Sequence, residues 1–190
     1  MGIRQGQESG FSMNELVAVM GMLGVLCVVA LPTVSHLVSQ YRLRHAVRDL
    51  YGNLQLAKQG AVKENRRWRI AFFPDPSSEK YVVWSYGPNG KWDGGSGDDV
   101  NVKTVALTRY GGEVCFGPGE ADQSATKPPG SLPGDGVSYN HNIAVFSPRG
   151  MANTMGYVYL SDGDRSSFAV GTTSMAGVVV IKHWTGERWE

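Results

Sequence analysis

The stretch ESGFSMNELVAVMGMLGVLCVVALPTV, residues 8–34, decides how the rest of the chain is read. Leu16 to Leu31 carries no charged residue. Counted from Phe11, the run is about 31 Å long as a helix, close to the ~30 Å hydrocarbon core of a bilayer. Gly21 and Gly24 do not argue against such a helix, since glycine is common in membrane spans. Pro32 is expected to end or kink it. Glu15 is the anomaly: a carboxylate inside a membrane costs on the order of 3 kcal/mol and normally has a partner and a purpose.

Three ordinary readings compete. A cleaved secretory signal needs a more basic leader than MGIRQGQESG, which sets Arg4 against Glu8, and a cut after the apolar run, for instance after Ala30. A lipoprotein signal fits poorly with a bulky Leu26 directly before Cys27. A plain single-pass anchor explains the length and leaves Glu15 without a role. A cut between Gly10 and Phe11 explains more. It creates an α-amino group about 6 Å along the helix from Glu15. The amine of a neighbouring chain, shifted along the axis, then neutralises the glutamate, which sets axial register between subunits.

Gly10, Phe11, Glu15 and Pro32, with the apolar run between them, resemble the type IV prepilin signature. The resemblance implies that a prepilin peptidase cuts after Gly10 and N-methylates Phe11. It implies that Glu15 supports assembly with other pilins or pseudopilins in a filament. It also implies a single pass through the bacterial inner membrane, with the globular part periplasmic. Asn14 departs from the pattern, being polar where the family is usually apolar. Arg42, Arg44 and Arg48, by simple counting, favour a cytoplasmic C-terminal side. They begin about a turn and a half or more beyond the expected lipid boundary, and the motif outweighs them.

Downstream, the period stays helical to about Glu64. Val34, Leu37, Val38, Tyr41, Ala46, Val47, Leu50, Leu54, Ala57, Ala61 and Val62 form an apolar stripe, and Arg42, Arg44, Arg48, Asp49, Gln55 and Lys58 lie opposite. Gly52 and Gly60 are weak points of about 1 kcal/mol each. The spacing thus predicts one helix over 11–64. After Asn65 the period becomes two. Strands are predicted at 68–73, 80–86, 102–108, 113–116, 143–146, 156–160, 167–172 and 177–182, separated by turns at Asn89-Gly90, Ser147 to Gly150, Asp162-Gly163 and Ala176-Gly177. Gly117 to Gly136 reads as a long exposed loop. The expected fold class is α+β: a long N-terminal helix, half membrane and half amphipathic, packed on a C-terminal antiparallel β-sandwich, pilin-like. The expected segments are a leader (1–10), a transmembrane and assembly helix (11–32), an amphipathic helix (33–64) and a β-rich globular domain (65–190).

The order also resembles one branch of that family, the GspH/FimT-type minor pseudopilins. The residues that carry this are the strand Trp68-Arg69-Ile70-Ala71-Phe72, the Phe-x-Pro-x-Gly turn Phe146 to Gly150, and the final strand opening at Gly177.

Little in the chain points to catalysis. A net charge of +1 gives no global pull toward nucleic acid, and 25 glycines among 190 residues suit a turn-rich β domain. The two cysteines, Cys27 and Cys115, form no C-x-x-C pair, and no internal disulfide is expected. There is no nucleophile elbow, metalloprotease motif or phosphate loop. His36, His45, His141 and His183 stand alone and read as packing or surface residues. Asp93 with Asp98-Asp99, and Asp162-Gly163-Asp164, cluster oxygens as a calcium loop does, yet EF-hand spacing is absent and Asp-Gly is the usual hairpin turn. No cofactor or metal is expected.

The functional expectation is therefore a non-enzymatic minor pilin or pseudopilin of a type IV pilus or type II secretion pseudopilus. The alternative is a DNA-binding minor pilin for DNA uptake. Its candidate contact is Arg66, Arg67 and Arg69, with Trp68 to stack a base. The Gly-Arg-x-Arg segment which that role implies is missing, since the matching place reads Gly177-Val178-Val179-Val180, so DNA is not expected as a partner.

Overall fold

A computed structural model describes residues 12–126, 130–163 and 166–190, with residues 27–37 described by backbone alone. The chain divides into two compact units, Met1–Val38 and Ser39–Glu190, and each is described by itself.

The helix α1 spans Met13–Lys63, 51 residues. It begins at Ser12, whose hydroxyl accepts the Glu15 N–H at 3.3 Å, as an N-cap does. It ends in a left-handed Asn65 (φ 52°), with the Arg66 N–H returning to the Ala61 carbonyl at 3.1 Å. That reversal satisfies carbonyls the last turn leaves open. Of the two outcomes expected at Pro32, an end or a kink, the structure excludes the end: α1 runs through it. A proline removes one donor and crowds one carbonyl, and the turns on either side keep their own hydrogen bonds.

Eight strands follow among the described residues: β1 (Trp68–Phe73), β2 (Lys80–Ser85), β3 (Val100–Ala106), β4 (Cys115–Phe116), β5 (Ile143–Phe146), β6 (Gly156–Ser161), β7 (Ser167–Thr172) and β8 (Val179–His183). They form two four-stranded antiparallel sheets, β3-β2-β1-β5 and β4-β6-β7-β8. β3 stops earlier than the periodicity suggests, because Leu107–Tyr110 coils into a 3-10 turn that buries Leu107 and Tyr110. β8 starts later, because Gly177 belongs to the preceding turn, where its N–H meets the Ser174 carbonyl at 3.0 Å.

One core joins the second unit. Leu43, Ala46, Val47, Leu50, Leu54, Ala57 and Ala61 of α1 pack with Trp68, Ile70 and Phe72 of β1, with Val83 and Phe146, and with Val158, Leu160 and Val170 of the other sheet. The apolar stripe differs from the expected one. Leu43 belongs to it, whereas Tyr41 and Val62 are 69% and 52% exposed. At about 100° per residue, Val62 falls to the side of the line through 43, 47, 50, 54, 57 and 61, and Tyr41 falls nearly opposite it.

The loop from Gly117 to Gly136 was expected to be exposed, and much of it is not. Ala121, Ser124 and Ala125 are buried. Ala125 packs on Tyr157, Tyr159 and Ala169, on the face of the second sheet turned away from α1, with Leu132 and Trp189 beside it. The Ala125 N–H donates to the Tyr159 hydroxyl at 2.8 Å, and the Trp189 indole N–H donates to the Gln123 carbonyl at 2.7 Å. Glycine and proline report irregular backbone, not exposure; two outward tyrosines required a cover.

Candidate functional site

The N-terminal candidates come first. Gly10 and Phe11 lie outside the described residues. Glu15 sits in the first turn of α1 and is exposed. Ser12 and Glu15 form the S-x-x-E pattern of a capping box, a signal the sequence reading passed over. A carboxylate there also suits the positive end of the helix dipole. Around it Met13, Leu16, Val17, Met20, Met22, Leu23, Val25 and Leu26 are each at least 54% exposed. Successive residues point in different directions, so apolar surface is open on every side of this segment. Among the described residues no helix is long and apolar enough to cross a membrane. Side-chain description stops at Leu26, within the expected span of 11–32. Of Pro32 only the backbone is described.

The two weak C-terminal motifs meet at one place. In the turn after β5 the Gly150 N–H bonds the Ser147 carbonyl at 2.9 Å, and Gly150 is left-handed at φ 73°. Gly177, at φ 67°, lies so close to the Gly150 carbonyl that a Cβ would collide with it. The Ala152 N–H donates to the Met175 carbonyl at 3.0 Å, tying the two turns together. Lys58 of α1 closes the junction. Its ammonium donates to the Gly177 carbonyl at 2.9 Å and to that of Ala176 at 3.5 Å, and its methylenes lie over Gly150. Helix, β5 turn and β8 turn are thus fixed to one another. The pairing of Gly150 with Gly177 joins residues far apart in sequence, which a linear reading does not supply.

Arg66, Arg67, Trp68 and Arg69 are not brought together as a surface. Trp68 is buried, its indole pressed against Gly60, where a Cβ would come within 2.5 Å of the ring. Its N–H donates to Glu64 at 3.1 Å. No face of it is open to stack a base. Arg69, one residue on, points to the opposite face of the sheet, where its guanidinium lies 3.9 Å from the centre of the Trp92 ring. Arg67 alone of the four is exposed, and Arg66 is half-buried.

Nor do the described acidic residues gather around a point, and Asp164 lies outside the described residues. The Asp98 carboxylate accepts the Asn89 N–H at 3.1 Å, and Asp99 accepts the N–H groups of Asp93 and Gly95 at 2.8 and 3.1 Å. Asp162 accepts the Ser166 N–H at 2.9 Å. These are loop-closing bonds, and among the described residues no group of three His, Cys, Asp or Glu is placed to hold a metal ion. Cys115 is a free thiol, 3.5 Å from the Ser161 hydroxyl.

A polar network links α1 to the first sheet. The Asn53 amide donates to the Tyr81 hydroxyl at 2.7 Å, and Lys103 reaches Asn53 at 2.9 Å and Asp49 at 3.3 Å. The Tyr110 hydroxyl donates a short hydrogen bond to Asp49. Burial would raise the Asp49 carboxyl, but the Tyr110 hydroxyl and the Lys103 ammonium outweigh it and hold the group below the ordinary carboxylate range. Burial first, then neighbouring Tyr110 and Asp49, pushes the Tyr81 phenol well above its usual value. Burial and the Asp49 carboxylate do the same to Tyr110.

Compared with known protein families, residues 46–180 match the model of the type II transport protein GspH. The chain belongs to the GspH family. The match covers the lower part of α1, β1 to β7, the start of β8 and the Lys58 junction, so the GspH/FimT-type pseudopilin resemblance is carried by that region. It begins after Arg44, so residues 1–45 stand on their own chemistry. No curated protein and no solved structure matches the chain. The GspH family consists of structural pseudopilins, and this member is a pseudopilin-like minor pilin of the type II secretion class, which associates with other pseudopilins.

Proposed function

We propose that the chain is made as a precursor, cut between Gly10 and Phe11 by a prepilin peptidase, methylated on Phe11, and assembled through α1 into a filament at the bacterial inner membrane. The observation that supports this best is the segment Met13 to Leu26, whose apolar side chains are exposed on every side of the helix among the described residues. A helix hydrophobic all round is stable only inside lipid or among other helices. Family membership accounts for the second unit, and the residue pattern of 8–34 accounts for the first. Before assembly the run anchors the chain with its β-rich part on the periplasmic side. Afterwards it packs on its neighbours, with Glu15 meeting an α-amino group. We read the helix on two sheets as pilin-like, and residues 65–190 as the part that distinguishes this subunit within a filament of the secretion or pilus type. The candidate DNA contact has no such support, since Trp68 is covered and Arg69 faces away.

The test is chemical. Co-expression with a prepilin peptidase is expected to yield a chain beginning at N-methylated Phe11, read by mass spectrometry of the intact protein. A chain that keeps residues 1–10 under conditions where a control pilin is cut refutes the processing step.

A further inference from the structure

The sequence places Arg42, Arg44 and Arg48 on the polar face of α1, just beyond the apolar run. In the structure they line an open groove of about 710 Å³ with Arg109, which arrives from the 3-10 turn after β3. Tyr41, His45 and Tyr110 complete its wall. All four arginines are exposed. The ion pairs among the described residues are Lys103 with Asp49 and Arg188 with Glu190, so none of the four guanidinium groups is paired by direct contact, and Asp49 acts on Arg109 only at longer range. Of the carboxylates around the groove, Asp49 bonds Tyr110 and Lys103, Glu113 accepts the Ser39 hydroxyl, and Glu120 lines the neighbouring hollow that Arg44 also borders. The groove is also shaped for the charge it holds. A Cβ at Gly111, which is left-handed at φ 104°, would come within 2.9 Å of the Arg42 guanidinium.

We propose that this groove binds the phosphate headgroup of an anionic phospholipid. Four unpaired guanidinium groups in one concavity suit a phosphodiester, whose oxygens take paired N–H donors. The sequence argues for lipid as its source. Between Glu15 and Arg42 no Asp, Glu, Lys or Arg occurs, so the groove opens with the first fixed charge after the apolar run. Tyr41, 69% exposed, stands directly before it. Clustered arginines beside an aromatic ring, the first charges after the apolar run, suit the headgroup layer outside the hydrocarbon core, next to anionic lipid. The lipid source rests on reading the apolar run as a membrane anchor. The charge preference itself does not.

The experiment uses the full chain in a neutral detergent, offered equal amounts of phosphatidylglycerol and phosphatidylcholine, with retained lipid counted by native mass spectrometry. Wild type is expected to keep phosphatidylglycerol in preference by about tenfold or more. The variant Arg42→Gln/Arg44→Gln/Arg48→Gln/Arg109→Gln is expected to bring the two lipids to parity, and the corresponding four-lysine variant to keep most of the preference. Thr108→Glu, one exposed change in the groove wall, is expected to lower the preference without threatening the fold. Parity in wild type overturns the proposal, as does a preference that survives both the glutamine and the Thr108→Glu changes. Displacement of the lipid by an equal concentration of inorganic phosphate, or by short single-stranded DNA, also overturns it. An alkaline carbonate wash of native membranes tests the anchor separately: release of the chain sinks the anchor, whatever the mass spectrum shows.

Discussion

Gly60 shows how little a residue's type alone reveals. Two glycines interrupt the lower half of α1, and by propensity each costs its helix about 1 kcal/mol. The structure separates them. Nothing lies within 4 Å of a Cβ at Gly52, whereas at Gly60 a Cβ would enter the Trp68 ring. Gly52→Ala is therefore expected to stabilise the protein by up to about 1 kcal/mol. Gly60→Ala is expected to destabilise it by about 1–3 kcal/mol through overpacking. Denaturant unfolding of the two variants checks both signs, and equal effects would remove the distinction. The sequence supplies the helix penalty but not the strand residue that comes to rest on the helix. Trp68 shows the same limit. A tryptophan among arginines reads equally as a stacking platform or as a core residue. Only alternation along β1, with Trp68, Ile70 and Phe72 inward and Arg69 outward, decides between them.

Elements were far more legible than the surfaces between them. Period-two alternation bounded by Asn-Gly, Asp-Gly and Pro-x-Gly turns located every strand described, because turn chemistry and pleat are local. What joins elements is not local. Arg109 completes the groove begun by Arg42, and Lys58 caps carbonyls more than a hundred residues away. The seam between α1 and the first sheet carries a pH signature. Tyr81 and Tyr110 hold their protons more tightly folded than unfolded, so the stability they contribute is complete below the unfolded phenol value near pH ~10 and is lost as pH rises beyond it. The melting temperature is expected to fall above about pH 10. Tyr81→Phe/Tyr110→Phe is expected to lower it at neutral pH, by leaving Asn53 and Asp49 short of partners, and to make the alkaline decline shallower. An unchanged alkaline slope would show that the seam does not titrate as described. Asp49 acts at the other end of the scale. Its depressed carboxyl adds stability above the unfolded value near ~3.9, and that contribution drains away as the solution is acidified through the lower folded value.

At the scale of the whole molecule, two kinds of inference meet. Family membership rests on residues 46–180, and the filament reading rests on residues 8–34. Glu15 is where the second can fail. It sits one turn inside α1 with Ser12 as its cap, so a purely local role, support of the helix start, competes with the intermolecular one. Glu15→Gln separates them, because glutamine also serves the third position of a capping box but cannot neutralise an amine. The variant is expected to insert in the membrane at the normal level and to be lost from sheared filaments. Normal incorporation would leave Glu15 as a helix-capping residue only.

The contact between Gly60 and Trp68 has a mechanical meaning as well. A one-turn slide of α1 along the sheet would carry Leu56 or Glu64 to the place of Gly60, and each brings a side chain where the indole tolerates none. Helix and sheet are keyed like a shaft in its hub. Traction on α1 must therefore load β1 and the strands bonded to it, since slippage would have to drive carbon atoms through an aromatic ring.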